Sequence, residues 1–251
     1  MTLYGSSARS LIAILRIVVM AMLAVAFGAL SHGALGQPVA NAPMKIGIVG
    51  SGNIGGTVGS LWVKAGHSVL FSSRHPEELK QFVERLGPSA RAGTVQEALD
   101  FGDAIFIAVP YGAYPQIGRD FAREWSGRIV LDAGNAIASR DGEIANEARE
   151  NGIGVTSAKY LTGARIVRAF NAMNYRKFAS NANRSGVRMA IPLAGDDQEA
   201  LAVAQTLVRD AGFDPVIIGG LDQAGLFAQG APLYGQDITA QEMQLLLKKL
   251  Q

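Results

Sequence analysis

The stretch Lys45-Ile46-Gly47-Ile48-Val49-Gly50-Ser51-Gly52-Asn53-Ile54-Gly55-Gly56 decides the fold. Lys45 to Val49 is strand-compatible, and Gly50, Gly52 and Gly55 follow in G-x-G-x-x-G spacing, which orders strand, tight turn and helix start. Gly50 permits the turn, Gly52 lets backbone approach a pyrophosphate, and Gly55 lets the new helix pack on the strand, so the helix N-terminal N–H groups face an anion. Alone, the motif also fits a glycine-rich loop without a ligand. The context favours the phosphate cradle: Ile54, Val58, Leu61 and Trp62 repeat at helical spacing, Gly66 stops the helix, and His67–Phe71 is β-rich. His67, at the strand entry, reads as a surface residue.

The second strand ends in Ser72-Ser73-Arg74. A site for NAD usually places an acid here for the ribose hydroxyls, whereas an arginine receives a 2′-phosphate. Two hydroxyls and a guanidinium suit a dianion, so Ser73 and Arg74 point to NADP(H). The plainer reading is a cap for a helix Glu77–Leu86 beginning near His75-Pro76.

Composition bounds the chemistry. With 251 residues, 49% apolar and 18% charged, the chain suits a packed globular protein, and its 30 glycines suit many tight strand–helix turns. There is no cysteine, so disulfides, thiolate nucleophiles and cysteine metal sites are excluded. His32, His67 and His75 have no second histidine at ligand spacing, so no metal is expected. The net charge of +2 comes from Arg9 and Arg16 in the first 43 residues, leaving 21 basic and 21 acidic residues beyond. A neutral domain offers no footprint for nucleic acid.

Residues 1–36 have the layout of a signal peptide or N-terminal anchor: Arg9 and Arg16, an apolar run Ile17–Leu30, then small residues with A-x-A-like exits. Counted from Leu11 the span lengthens to membrane-crossing size, which keeps an uncleaved anchor open. Residues 37–43, with Pro38 and Pro43, read as a linker. Export to the periplasm or tethering is the expectation; a start at Met44 would leave the protein cytoplasmic. No membrane contact is expected for the folded domain.

Residues 44–251 read as one α/β domain. Asp103–Pro110 is a continuous apolar run, the mark of a strand buried on both faces, and Arg128–Asp132 repeats the pattern. Their ends, Val109-Pro110-Tyr111 and Ala133-Gly134-Asn135-Ala136, lie on the edge where parallel sheets bind ligands. Helices are expected at Val95–Leu99, Tyr114–Trp125, Glu143–Glu150, Gln198–Asp210 and Thr239–Leu250, and strands at Arg165–Phe170, Arg188–Ala194 and Phe213–Ile218. The fold class is therefore a Rossmann-like, doubly wound, mostly parallel sheet in a three-layer αβα arrangement.

The motifs G-S-G-N-I-G-G, S-S-R, A-V-P-Y, L-D-A-G-N-A, R-A-F-N-A-M-N and A-G-F-D-P-V-I-I-G-G-L together resemble NADP oxidoreductases dependent on coenzyme F-420, from Lys45 to about Gln251. The same motifs are similar to the NADPH-binding domain of six-transmembrane metalloreductases and, more distantly and in the N-terminal half alone, to pyrroline-5-carboxylate reductases. The resemblance implies that Gly50, Ser51, Gly52, Asn53, Ile54 and Gly55 hold the pyrophosphate region and that Ser73 and Arg74 hold the 2′-phosphate. The nicotinamide end would lie near Val109, Pro110 and Asn135, and an acceptor ring would stack against Asn171, Ala172 and Met173. The second substrate implied is coenzyme F-420, FMN or FAD. Two departures stand out: where the family often carries a lysine a few residues after the arginine this chain has Glu77-Glu78, with Lys80 further on, and Asn171 occupies a position that is His in the archaeal enzymes.

Transfer between two rings needs positioning alone, without the general acid that carbonyl reduction needs, and the sequence shows no obvious acid. Lys159 and Tyr160 read as loop surface. The expected function is an NADPH-dependent oxidoreductase acting on a small-molecule redox acceptor, with a homodimer as a compatible assembly. Its alternatives are a non-catalytic NADP-binding module or sensor, and a reductase of a small imine or keto substrate, for which the length left after the sheet is short.

Overall fold

The computed structural model describes residues 42–250; the signal or anchor at 1–36 and most of the linker lie outside the described residues. One sheet carries eight strands: β1 (Lys45–Val49), β2 (Ser68–Ser72), β3 (Ala90–Gly93), β4 (Ala104–Ile107), β5 (Ile129–Asp132), β6 (Arg165–Arg168), β7 (Ala190–Gly195) and β8 (Asp214–Gly219). Their order is β3-β2-β1-β4-β5-β6-β7-β8. β1 to β6 run parallel, β7 is antiparallel to β6, and β8 is parallel to β7. The connections reverse direction between β1 and β4, which opens a crevice at the carboxyl ends of those two strands.

The helices are α1 (Asn53–Lys64), α2 (Lys80–Leu86), α3 (Val95–Phe101), α4 (Tyr114–Asp120), α5 (Ala138–Asp141), α6 (Glu143–Asn151), α7 (Ile153–Tyr160), α8 (Tyr175–Asn181), α9 (Gln198–Asp210) and α10 (Ala240–Leu250). Side chains alternate across the sheet, so both faces need cover. Phe106 joins a core with Trp62, Phe71, Phe170 and Phe213, while its neighbours Ile105 and Ile107 join a second core with Tyr111, Tyr114 and Trp125. The first core is aromatic: Trp62 meets Phe106 edge-on at 5.1 Å and Phe170 at 5.7 Å, and its Nε1 donates to Leu207 O at 2.7 Å. No helix among the described residues is long and apolar enough to cross a membrane.

Several expectations need correction. β3 pairs with β2 although Ala90-Arg91-Ala92-Gly93 lacks any strand-forming residue; pairing at the sheet edge overrides propensity. The helix expected over Tyr114–Trp125 stops at Asp120, and α7 forms between the expected helix Glu143–Glu150 and the expected strand Arg165–Phe170. α7 forms because Gly154 lets it press on another segment: a Cβ there would lie 2.2 Å from Leu221 O. Lys159 and Tyr160 sit at the end of α7, where both hydrogen-bond Glu147, at 2.5 and 2.6 Å. β6 ends at Arg168, and Phe170 turns the chain at φ 58, in the left-handed region that bulky residues avoid. His67 is buried rather than on the surface. Its Nδ1 accepts from Met44 N at 3.0 Å and its Nε2 lies 3.1 Å from Asp210 Oδ2, so it clasps the start of β1 to the end of α9.

Candidate active site

The glycine loop is built by close approach. Gly50 has φ 97, and a Cβ on it would meet Val109 Cγ1 at 2.5 Å; one on Gly55 would meet Gly50 O at 2.0 Å. A Cβ on Gly52, in contrast, meets nothing within 4 Å. α3 and α9 carry side-chain caps from Thr94 and Asp197, but α1 has no side-chain cap and no acid in its first turn. Its first N–H groups and the positive end of its dipole are thus left for an anion. Ser51 Oγ is buried without a hydrogen-bond partner, beside the open space over Gly52. These features fit a pyrophosphate.

Ser51 N donates to Ser72 O at 3.2 Å, which sets the glycine loop against the end of β2. Ser73 and Arg74 follow directly. Arg74 is exposed, and Ser73 Oγ accepts from His75 N at 3.0 Å, so the serine hydroxyl does cap the turn while keeping its own proton to donate.

A cavity of about 460 Å³ opens at the carboxyl edge of the sheet. It brings together Gly52, Asn53 and Ile54 from α1 with Val109 and Pro110 after β4, Asn135 after β5 and Met173 after β6. Gly50, Ser51, Gly55, Ser73 and Arg74 do not line it. Nor do Asn171 and Ala172, which are buried: Ala172 packs in the second core, and Asn171 lies beneath the wall. The acceptor stretch is corrected accordingly, with Met173 alone reaching the cavity and its two neighbours supporting it.

Asn135 is the junction of that support. Its Nδ2 donates to Asn171 O at 2.7 Å, and its Oδ1 accepts from Gln229 N at 3.3 Å and from Asn171 Nδ2 at 3.4 Å. Below it, Asp132 and Arg168 form a wholly buried ion pair with Nη1 2.6 Å from Oδ2. Asp132 Oδ1 accepts from Gly134 N at 2.8 Å and from Tyr114 Oη at 2.5 Å, while Arg168 Nη2 donates to Gly134 O. Gly134 is therefore held through both its N–H and its carbonyl. Burial opposes the charge on Arg168, but the Asp132 carboxylate outweighs it and holds the guanidinium ionised. Burial, reinforced by the Asp132 charge, pushes the Tyr114 hydroxyl well above its usual range, so it stays a neutral donor.

Sequence reading missed Ile137, Arg140, Asn174, Tyr175, Gln229 and Tyr234, which complete the wall. Gln229 and Tyr234 follow β8 by a route that no periodicity marks. Two phenols thus line a cavity for which the sequence showed no proton donor. Asn174 and Tyr175 had a local signal, since Asn174 caps α8 by accepting from Arg176 N at 3.0 Å.

Fold and site together define a dinucleotide-binding domain of the Rossmann class. Residues 45–136 match the model of the family described as NADP oxidoreductase, coenzyme F420-dependent. The chain is 29% identical over 199 residues to the metalloreductase STEAP3 of Rattus norvegicus, a match that covers 77% of this chain and 37% of that protein. It spans little more than a third of that relative's length. Among solved structures, a hypothetical protein from Sinorhizobium meliloti is 26% identical with a TM-score of 0.66, over 78% of this chain and 95% of that one. A candidate F420-dependent NADP reductase from Arthrobacter sp. FB24 shares the fold at 22% identity and a TM-score of 0.62, over 72% of this chain and 87% of that one.

Proposed function

We propose that the protein takes NADPH on the glycine loop and passes reducing equivalents to a flavin- or deazaflavin-type acceptor seated against Met173. The observation that carries this reading is one continuous cavity running from the first turn of α1 to Met173, Tyr175 and Tyr234. NADPH, when bound, supplies a hydride equivalent directly to a facing ring. Ser51, Asn53 and Ile54 hold the pyrophosphate, and Ser73 with Arg74 selects the 2′-phosphate. Val109 and Pro110 wall the reacting end, and the polarisable thioether of Met173 offers a flat ring a soft contact. Asn135, pinned by Asn171 and Gln229, fixes the distance between the two halves.

The test is NADPH oxidation by purified protein, followed by absorbance with riboflavin, FMN, FAD and coenzyme F-420 as separate acceptors. Turnover with one or more is the expected result; NADPH binding without turnover with any would leave a binding module. A second reading, reduction of a small keto or imine substrate, rests on Tyr175 and Tyr234, whose phenols could protonate a heteroatom. Turnover with keto acids or cyclic imines, lost on replacing either tyrosine by Phe, would favour it. We also propose that residues 1–36 export or anchor the domain, which the N-terminal residue of the protein isolated from its own cells decides.

A further inference from the structure

We infer that Arg140 makes the acceptor side of the cavity selective for molecules with a fixed negative charge, a carboxylate, phosphate or sulfonate on the acceptor itself. This deepens the proposed function and rests on its placement of the acceptor.

Arg140 is the one charged side chain that lines the cavity among the described residues; the rest of the wall is apolar, amide or phenolic. Its guanidinium is fixed before any ligand arrives. Nε donates to Asp141 Oδ1 at 2.9 Å, and Nη2 donates to Asp141 Oδ2 at 2.8 Å and to Asn135 O at 2.7 Å. A fork held on one edge leaves the other, Nη1, to donate outward, and the side chain remains 43% exposed.

Asp141 offsets part of this charge but occupies only the inner edge of the guanidinium, so the donor at Nη1 stays available. Its side chain is 1% exposed, and it faces inward, accepting also from Ile137 N at 2.8 Å and Gly112 N at 3.0 Å. Burial opposes its ionisation, but the hydrogen bonds from Arg140 and from the two backbone N–H groups outweigh burial and keep it an anion. Asp141 therefore acts as a positioning residue. It joins the loop after β4, through Gly112, to the loop after β5, through Ile137, and aims Arg140 from their junction. Among the described residues no acid lines the cavity to repel an incoming anion.

The experiment measures binding, so turnover is not needed. Protein saturated with NADP+ is titrated with FMN and with riboflavin, which share a ring and differ in the phosphate. A second titration uses naphthoquinone and its sulfonate, which share no flavin chemistry. Wild-type protein should bind the anionic member of each pair about tenfold tighter or more, the size of one charge-assisted contact. Arg140→Gln should bring FMN to the riboflavin level while leaving riboflavin and NADP+ affinities in place. Arg140→Lys should keep part of the preference, and Asp141→Asn should weaken it although the cation remains. Equal affinity within both pairs for the wild type overturns the inference. So does an Arg140→Gln variant that loses NADP+ in step with FMN, which would assign the guanidinium to the dinucleotide. Preference for the sulfonate without binding of either flavin would sustain the inference and reject the flavin-type acceptor.

Discussion

Two loops at the carboxyl edge of the sheet, after strands that β4 separates, are fixed by opposite means. The loop after β1 is held by missing side chains: Gly50 and Gly55 let backbone meet backbone where a single methyl would collide. The loop after β5 is held by a surplus of buried polarity, with Asp132, Arg168 and Tyr114 gripping the N–H and carbonyl of Gly134. Packing without side chains tolerates no addition. A buried charge network tolerates no subtraction, because whichever ion is left behind is unpaired in a medium that penalises it.

The difference gives a set of substitutions. Gly55→Val should have the largest effect, since its Cβ falls 2.0 Å from Gly50 O; little folded protein is expected, read by circular dichroism and solubility. Gly52→Val should separate folding from binding. With nothing within 4 Å of its Cβ, the variant should melt within a few degrees of wild type yet show no NADPH binding by calorimetry. If it still bound, the space over Gly52 would not be the pyrophosphate seat. Arg168→Met should cost about 3–5 kcal/mol of unfolding free energy in a denaturant titration, the usual result of orphaning a buried partner, here Asp132. The double variant Asp132→Asn, Arg168→Met should recover part of that loss. If the single and double variants were equally stable, the network would not be holding Gly134 as described. Arg74→Ala should have the smallest effect, weakening NADPH by about 1.5–3 kcal/mol and NADH hardly at all. Equal weakening of both nucleotides would remove Arg74 from the 2′-phosphate.

The same contrast explains what could be read in the sequence. Close backbone approach leaves a local trace, because only glycine permits it, so β1 and the start of α1 fall where the motif puts them. The Asp132–Arg168 pair leaves none. Each residue looks like an ordinary charged strand end, and their pairing depends on β5 and β6 lying side by side in register. His67 shows the same blindness: a histidine at a strand entry reads as surface until Asp210, at the far end of another helix, closes over it. Asn135 was legible as a ligand-edge residue because it follows a buried strand. The residues opposite it, Gln229 and Tyr234, arrive by a route without periodicity. Met173 was reached through family likeness, and its neighbours Asn171 and Ala172 came with it although a turn of backbone at Phe170 sends them inward.

The hydrogen bond from Gln229 N to Asn135 Oδ1 joins residues 94 positions apart. Contacts of that separation form late, because a long stretch of chain must be ordered before they repay it. During synthesis the glycine loop and its two flanking strands are complete long before residue 229 emerges. The glycine loop is thus built from contacts close in sequence, and the wall opposite it from contacts that only the nearly finished chain can make.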